Sequence, residues 1–180
     1  MNKYDHNIHH RRSIRLLGYD YSHEGLYFFT ICVHNFKCMF GEIIDDRIVL
    51  NDSGKMIENE WIALINRFPN IQLHEFIVMP NHFHAILEIT GTTDLIDQKD
   101  ISNQNNKTVG KILAVFKSIS TVKYIDGVKN LGWQHFDDKL WQRNYWDNVI
   151  KDSISHQQIA DYILNNPLKW MYDKLNPQNM

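Results

Sequence analysis

The segment that most constrains the fold is Phe76-Ile77-Val78-Met79-Pro80-Asn81-His82-Phe83-His84-Ala85-Ile86-Leu87, two apolar runs broken by Met-Pro-Asn. Proline suits a turn and pushes the residue before it out of helical backbone. The runs Ile71 to Val78 and His82 to Ile89 are therefore expected to pair as an antiparallel hairpin. Side chains alternate faces along a strand. Phe83, Ala85, Leu87 and Ile89 share a wholly apolar face, which turns to a core. His82, His84, Ile86 and Glu88 share the other face, so two imidazoles stand side by side. Imidazole is the commonest protein metal ligand. His-x-His alone fits both a metal-holding strand and a half-buried strand whose histidines are merely tolerated.

The remaining chain alternates strand and helix signals. Tyr27 to Val33 is dense in β-formers. Met39 to Ile44 and Arg47 to Leu50, split by Asp45-Asp46, read as a second hairpin. Asn51-Asp52-Ser53-Gly54 offers a helix start, and Met56, Ile57, Trp61, Leu64, Ile65 and Phe68 form one apolar stripe that ends at Pro69. Residues from about 91 to 107 are polar and without period, an expected loop. Thr108 can cap a helix to about Tyr124, with Val109, Ile112, Leu113, Phe116 and Ile119 buried. Trp146 to Ile150 allows a last short strand. Asp152-Ser153 caps a final long helix carrying Ile159, Tyr162 and Ile163, and Pro167 opens a fresh helix from Leu168 to Leu175.

At 180 residues and 43% hydrophobic content, a single domain over 1–180 with its own core is expected, with an irregular arm over about 1–24. No apolar run is long enough to span a bilayer, and the N-terminal stretch lacks the apolar core of a signal peptide. Cys32 and Cys38, the two cysteines, give no disulfide framework. A cytoplasmic protein without membrane contact is expected. The net charge of -2 argues against a broadly basic nucleic-acid binder. A single-strand site needs only a basic groove, and Arg11, Arg12 and Arg15 form a local basic arm.

The hairpin resembles the His-hydrophobic-His motif of the HUH single-strand DNA transposases, in particular the REP-associated tyrosine transposases and their insertion-sequence relatives. The likeness extends to Arg11-Arg12-Ser13-Ile14-Arg15, Tyr27-Phe28-Phe29-Thr30-Ile31, Phe116-Lys117-Ser118, Trp141-Gln142-Arg143-Asn144-Tyr145 and Asp161-Tyr162-Ile163-Leu164-Asn165-Asn166-Pro167. It runs from about residue 11 to about residue 170, apart from the 91–107 region. The resemblance implies an α+β, ferredoxin-like fold with a central antiparallel sheet of four to five strands and helices packed on it. It implies metal-dependent cleavage and joining of single-stranded DNA through a 5′-phosphotyrosine, on hairpin-forming repeats or element ends.

Carried over by position, Tyr162 is the nucleophile and His82, His84 and Asn166 are the metal ligands. Insertion-sequence relatives commonly have Gln at the amide position, so Asn166 is a shorter reach. Asn166 also suits the N-cap of the helix that Pro167 opens. Tyr145 is a rival nucleophile. Imidazole with oxygen donors admits Mg²⁺ or Mn²⁺, with Mn²⁺ the better match, and zinc with His74 as a third imidazole is a further possibility. Arg11, Arg12, Arg15, Lys117 and Arg143 are the candidate DNA contacts. Monomer and homodimer both remain open, since in dimeric relatives the tyrosine helix serves the partner's histidines. Two other readings stay in play: a non-catalytic binder of structured single-stranded DNA or RNA, and a His-x-His metallohydrolase.

Overall fold

The computed structural model describes residues 23–91 and 108–180. Arg11, Arg12 and Arg15, and nearly all of the expected polar loop, lie outside the described residues. The elements run β1 (Gly25–Cys32), β2 (Gly41–Ile44), β3 (Arg47–Leu50), α1 (Asp52–Ile62), β4 (Ile71–Val78), β5 (His82–Ile89), α2 (Val109–Asn130), β6 (Trp146–Ile150) and α3 (Ser153–Leu164).

β4, β5, β1 and β6 form one antiparallel sheet in that order, and β2 pairs only with β3. With the β2–β3 hairpin set aside, the order is that of a split β-α-β-β-α-β unit, the ferredoxin-like arrangement. The expected α+β architecture is present, with four strands in the main sheet. The β2–β3 turn places Asp45 and Asp46 at positive φ, 48° and 59°. That is the mirror-image two-residue turn whose twist matches paired strands, and Asp tolerates it better than most residues.

Each long helix starts where a short polar side chain can accept an orphan amide. Asn51 accepts from Gly54 N, Thr108 from Lys111 N, and Asp152 from Ser155 N. α1 ends sooner than its apolar stripe and tightens into a 3-10 turn over Ala63–Asn66 before Pro69. α2 runs past Tyr124 to Asn130, because nothing breaks it before Gly132. Gly127 lies inside that extension, where the Trp133 ring would stand 2.2 Å from an added Cβ. The glycine there is what lets the indole lie on the helix.

The sheet is covered on both faces. On one face Tyr27, Phe29, Ile31, Phe83, Ala85, Leu87 and Ile89 meet α1 and α2 through Trp61, Ile112, Leu113 and Phe116. Trp61 is fully buried at the centre of this layer, with its ring 5.1–5.4 Å from those of Phe29, Phe83 and Phe116. Glu60 of α1 and Lys123 of α2 pair across the two helices. On the other face Ile86 and Ile150 pack against Ala160 and Ile163 of α3. The face assignment of β5 read from its alternation holds. Its second face is not half-open, however: α3 and the segment after it leave His82 at 0% and His84 at 2% exposure.

Candidate active site

β1 and β5 set the two imidazoles. The register places Thr30 opposite His84 and Cys32 opposite His82. Thr30 is the one polar side chain in an otherwise apolar run, and its Oγ1 lies 2.7 Å from Nδ1 of His84. The His82 and His84 rings stand 4.6 Å apart.

The turn before β5 fixes the first ring. Asn81 is fully buried. Its Nδ2 donates to the carbonyls of Phe36 at 2.9 Å and Leu175 at 2.7 Å. Its Oδ1 therefore faces Nδ1 of His82, at 2.8 Å. A carbonyl oxygen can only accept, so Nδ1 of His82 carries the proton and Nε2 keeps its lone pair. Nε2 is buried and has no hydrogen-bond partner among the described residues. This is the arrangement seen behind metal-ligating histidines, where an outer oxygen sets the tautomer and aims the free nitrogen.

Burial holds both rings neutral. It pulls His82 down to about 3, with Asn166 opposing the shift, and it drives His84 well below the ordinary histidine value, with His82 adding to the effect. A neutral imidazole is the form that binds a metal.

α3 brings the phenol. Tyr162 is 40% exposed, with its hydroxyl 3.3 Å from Nε2 of His84. Phe28 stacks on His84 and meets the Tyr162 ring edge-on, which holds both rings in place. The Tyr162 phenol is raised above its ordinary value, first by burial and then by the negative charge of Asp173. Tyr162 meets the histidines of its own chain.

Asn166 is buried at 1% exposure and sits beside His82 and Tyr162. It occupies the N-cap position of the Pro167–Tyr172 turn but makes no side-chain cap bond, and its Oδ1 has no hydrogen-bond partner among the described residues. The expected helix over Leu168 to Leu175 is this shorter 3-10 turn. It ends at Asp173, whose Oδ1 accepts the Leu175 amide and whose Oδ2 faces Nε2 of His82 at 3.9 Å.

A cleft of about 570 Å³ opens over these groups, lined by Thr30, His84, Trp146, Tyr162, Asn166, Lys169, Tyr172, Asp173, Lys174 and Leu175. Trp146 is 41% exposed and Tyr172 is 89% exposed. Two lysines, one carboxylate and exposed aromatic rings suit a phosphate backbone with unpaired bases.

The other expected site residues are placed elsewhere. Tyr145 packs against the α1–α2 core with Lys117 over its ring, and it does not line the cleft. Lys117 donates to the carbonyls of Gln142, Arg143 and Asn144 at 2.9–3.3 Å. Burial lowers it to about 8. It thereby fixes the loop on which Arg143 stands exposed. His74 lies 2.8 Å from Glu88 and belongs to a different cluster, away from His82 and His84.

Sequence reasoning missed Asn81, Thr30, Asp173 and Trp146. Thr30 was legible as the polar break in an apolar strand. Asp173 and Trp146 were not, because only the tertiary return of the C-terminal segment and of β6 brings them to the cleft.

No protein-family profile matches the chain. An uncharacterised protein of Haemophilus influenzae is 40% identical over 184 residues, covering 96% of this chain and 97% of that one. A candidate REP-associated tyrosine transposase, also from Haemophilus influenzae, is 23% identical over 157 residues, covering 85% of this chain and 76% of that one. Among solved structures, a REP-associated tyrosine transposase bound to a REP hairpin aligns at a TM-score of 0.49 and 20% identity, covering 83% of this chain and 70% of that one. A candidate transposase from Deinococcus radiodurans R1 aligns at a TM-score of 0.40 and 16% identity, covering 84% of this chain and 95% of that one.

The fold and site define an α+β protein with a ferredoxin-like sheet that sets a histidine pair against a helix-borne tyrosine. The chain belongs to one family with the uncharacterised Haemophilus influenzae protein and is a distant relative of the REP-associated tyrosine transposases. Among the described residues, no helix is long and apolar enough to cross a membrane.

Proposed function

We propose that this protein cuts and rejoins single-stranded DNA, with Tyr162 as the nucleophile and a divalent cation held by His82, His84 and Asn166. The observation that carries the reading is the convergence of four groups. The Tyr162 hydroxyl lies 3.3 Å from Nε2 of His84, and Nε2 of His82 and Oδ1 of Asn166 are both buried without a partner among the described residues. A buried polar atom left unpaired costs on the order of 1–3 kcal/mol. Orphans on an imidazole nitrogen and an amide oxygen beside the second imidazole, His84, fit the donor set of a cation such as Mn²⁺ or Mg²⁺. The missing cap bond at Asn166 favours ligation over capping.

When bound, the cation polarises the scissile phosphate and offsets its growing negative charge. The chain does the rest. Tyr162 Oη forms a bond to phosphorus as the bond to the 3′ oxygen breaks, leaving a 5′-phosphotyrosine and a free 3′-hydroxyl. The raised phenol must lose its proton during attack, and we assign that proton to Asp173, the carboxylate among the residues lining the cleft. Attack by a 3′-hydroxyl on the phosphotyrosine reverses the step and joins strands without ATP.

Lys169 and Lys174 supply positive charge to the strand, and Trp146 offers a stacking face. Arg143 adds a contact from the loop that Lys117 fixes, and Arg11, Arg12 and Arg15 are proposed as phosphate contacts from the sequence resemblance alone. Hairpin-forming repeats as substrate rest on the kinship with REP-associated tyrosine transposases.

The test is denaturing electrophoresis of labelled single strands and hairpins incubated with protein and Mn²⁺ or Mg²⁺. A protein–DNA adduct is expected from the wild type and from Tyr145→Phe, and none from Tyr162→Phe or His82→Ala. Binding that survives chelation, with no adduct on any substrate, would replace this reading with a non-catalytic binder of structured single strands.

A further inference from the structure

We propose that His74, Glu75 and His156 form a second metal site, suited to zinc, that pins the tyrosine helix to the edge of the sheet. This goes beyond the reading above and does not depend on it.

The site arises from an irregularity in β4. Leu73 pairs with Leu87 and Phe76 with Ala85, so His74 and Glu75 together oppose the single residue Ile86. Two residues against one is a β-bulge, which re-aims side chains that would otherwise point to opposite faces. Leu73 and Phe76 both remain against the α1–α2 core. His74 and Glu75 are left to the face that α3 covers. There they meet His156, in the first turns of α3.

Each of the three residues offers a donor atom within 4.8 Å of the other two. The His74 and His156 rings stand 5.4 Å apart and nearly perpendicular. Nε2 of His156 faces Oε2 of Glu75 at 3.6 Å. Both of these atoms are buried, and neither has a hydrogen-bond partner among the described residues. A simple ion pair would close to hydrogen-bond length, about 2.7–3.2 Å. A tetrahedral zinc site with metal–donor bonds of about 2.0–2.1 Å instead separates its donors by about 3.3 Å.

Two imidazoles and one carboxylate are a zinc donor set, harder than thiolate and softer than the all-oxygen shell magnesium prefers. Glu88 lies 2.8 Å from Nε2 of His74, an outer carboxylate that holds that ring beside the three donors. The partially exposed His74 and His156 side chains leave a path for the ion to enter.

The place in the fold gives such an ion a purpose. β4 is an edge strand, and the contact of α3 with it is polar at this end. Tyr162 lies about 9 Å further along the same helix axis. A metal at the N-terminal end of α3 would fix the helix at a second point, and with it the aim of the phenol.

The test is zinc content by mass spectrometry after chelation and equilibrium dialysis, on wild type, His156→Gln and Glu75→Gln. Circular dichroism in chelator checks that each variant is folded, and Glu75→Gln removes the charge with almost no change of shape. The proposal expects each variant to bind one zinc per chain fewer than the wild type. Zinc should raise the melting temperature of His82→Ala/His84→Ala and lose that effect when His156→Gln is added. If both His156→Gln and Glu75→Gln bind as much zinc as the wild type, the proposal is wrong. Failure at His82 and His84 is separable, since it changes the total without changing the difference between wild type and these variants.

Discussion

Asn81→Ala tests the claim that the turn before β5 tunes the metal ligand. The amide makes three hydrogen bonds in a fully buried position: Oδ1 to His82, and Nδ2 to the carbonyls of Phe36 and Leu175. At roughly 0.5–1.5 kcal/mol net for each, the substitution is expected to cost folding about 2–4 kcal/mol. The effect on metal is separable. Without Oδ1 nothing fixes the proton on Nδ1 of His82, and loss of such an outer partner typically costs about 10–100-fold in metal affinity, or about 1.4–2.7 kcal/mol. Asn81→Asp keeps the acceptor and loses both donors. It should lose at least as much stability as Asn81→Ala, since its second oxygen meets two carbonyl oxygens in a buried position, while keeping most of the metal affinity. Urea unfolding gives the first quantity, and Mn²⁺ titration followed by the paramagnetic signal of the free ion gives the second. A folded Asn81→Ala that binds Mn²⁺ within about twofold of wild type would refute the tautomer argument.

Three further outcomes follow from the same geometry. Asn166→Ala should weaken Mn²⁺ binding at least about tenfold while costing folding less than the roughly 1 kcal/mol of a working N-cap; a stability loss without an affinity loss would reassign Asn166 to capping. Burial lowers His82 to about 3 from an ordinary 6.5 and lowers His84 in the same direction. The unfolded chain therefore binds protons that the folded chain refuses, so stability is full above about 6.5 and is lost as pH falls toward 3. Urea titrations across that window should show a shallower slope in His82→Gln, and an unchanged slope would contradict the buried neutral ring. Trp61→Ala, which empties the centre of the α1–α2 layer, should cost about 3–5 kcal/mol in the same unfolding assay, and a loss under about 1 kcal/mol would mean the layer repacks around the gap.

Local rules carried much of the architecture. The Met-Pro-Asn break and the alternation of His82 to Ile89 gave β4, β5 and the correct face for each β5 side chain. Asn51, Thr108 and Asp152 marked three helix starts, because capping depends on residues close in sequence. Helix ends were less legible. α1 tightens into a 3-10 turn before its apolar stripe ends, and α2 runs on to Asn130 because no breaker stands near Tyr124. The β4 bulge could not be read at all, because it is a property of pairing and not of His74-Glu75 themselves.

The site divides in the same way. His82 and His84 stand out from strand alternation, Tyr162 and Asn166 from the resemblance, and the structure brings the four side chains together. Asp173 and Trp146 were missed because their approach depends on where the chain returns after α3 and on the β1–β6 register. Lys117 was read as a phosphate contact, yet its ammonium is held by the carbonyls of residues 142–144. A lysine in a family-like block does not reveal whether its charge faces solvent or a loop.

The most direct measurement is tandem mass spectrometry of the protein after reaction with single-stranded DNA and Mn²⁺, nuclease trimming and proteolysis. The account predicts a nucleotide phosphate on the peptide bearing Tyr162, attached at the phenol oxygen. A nucleotide on Tyr145 or Tyr172, or on no tyrosine while strands are cut, would contradict it.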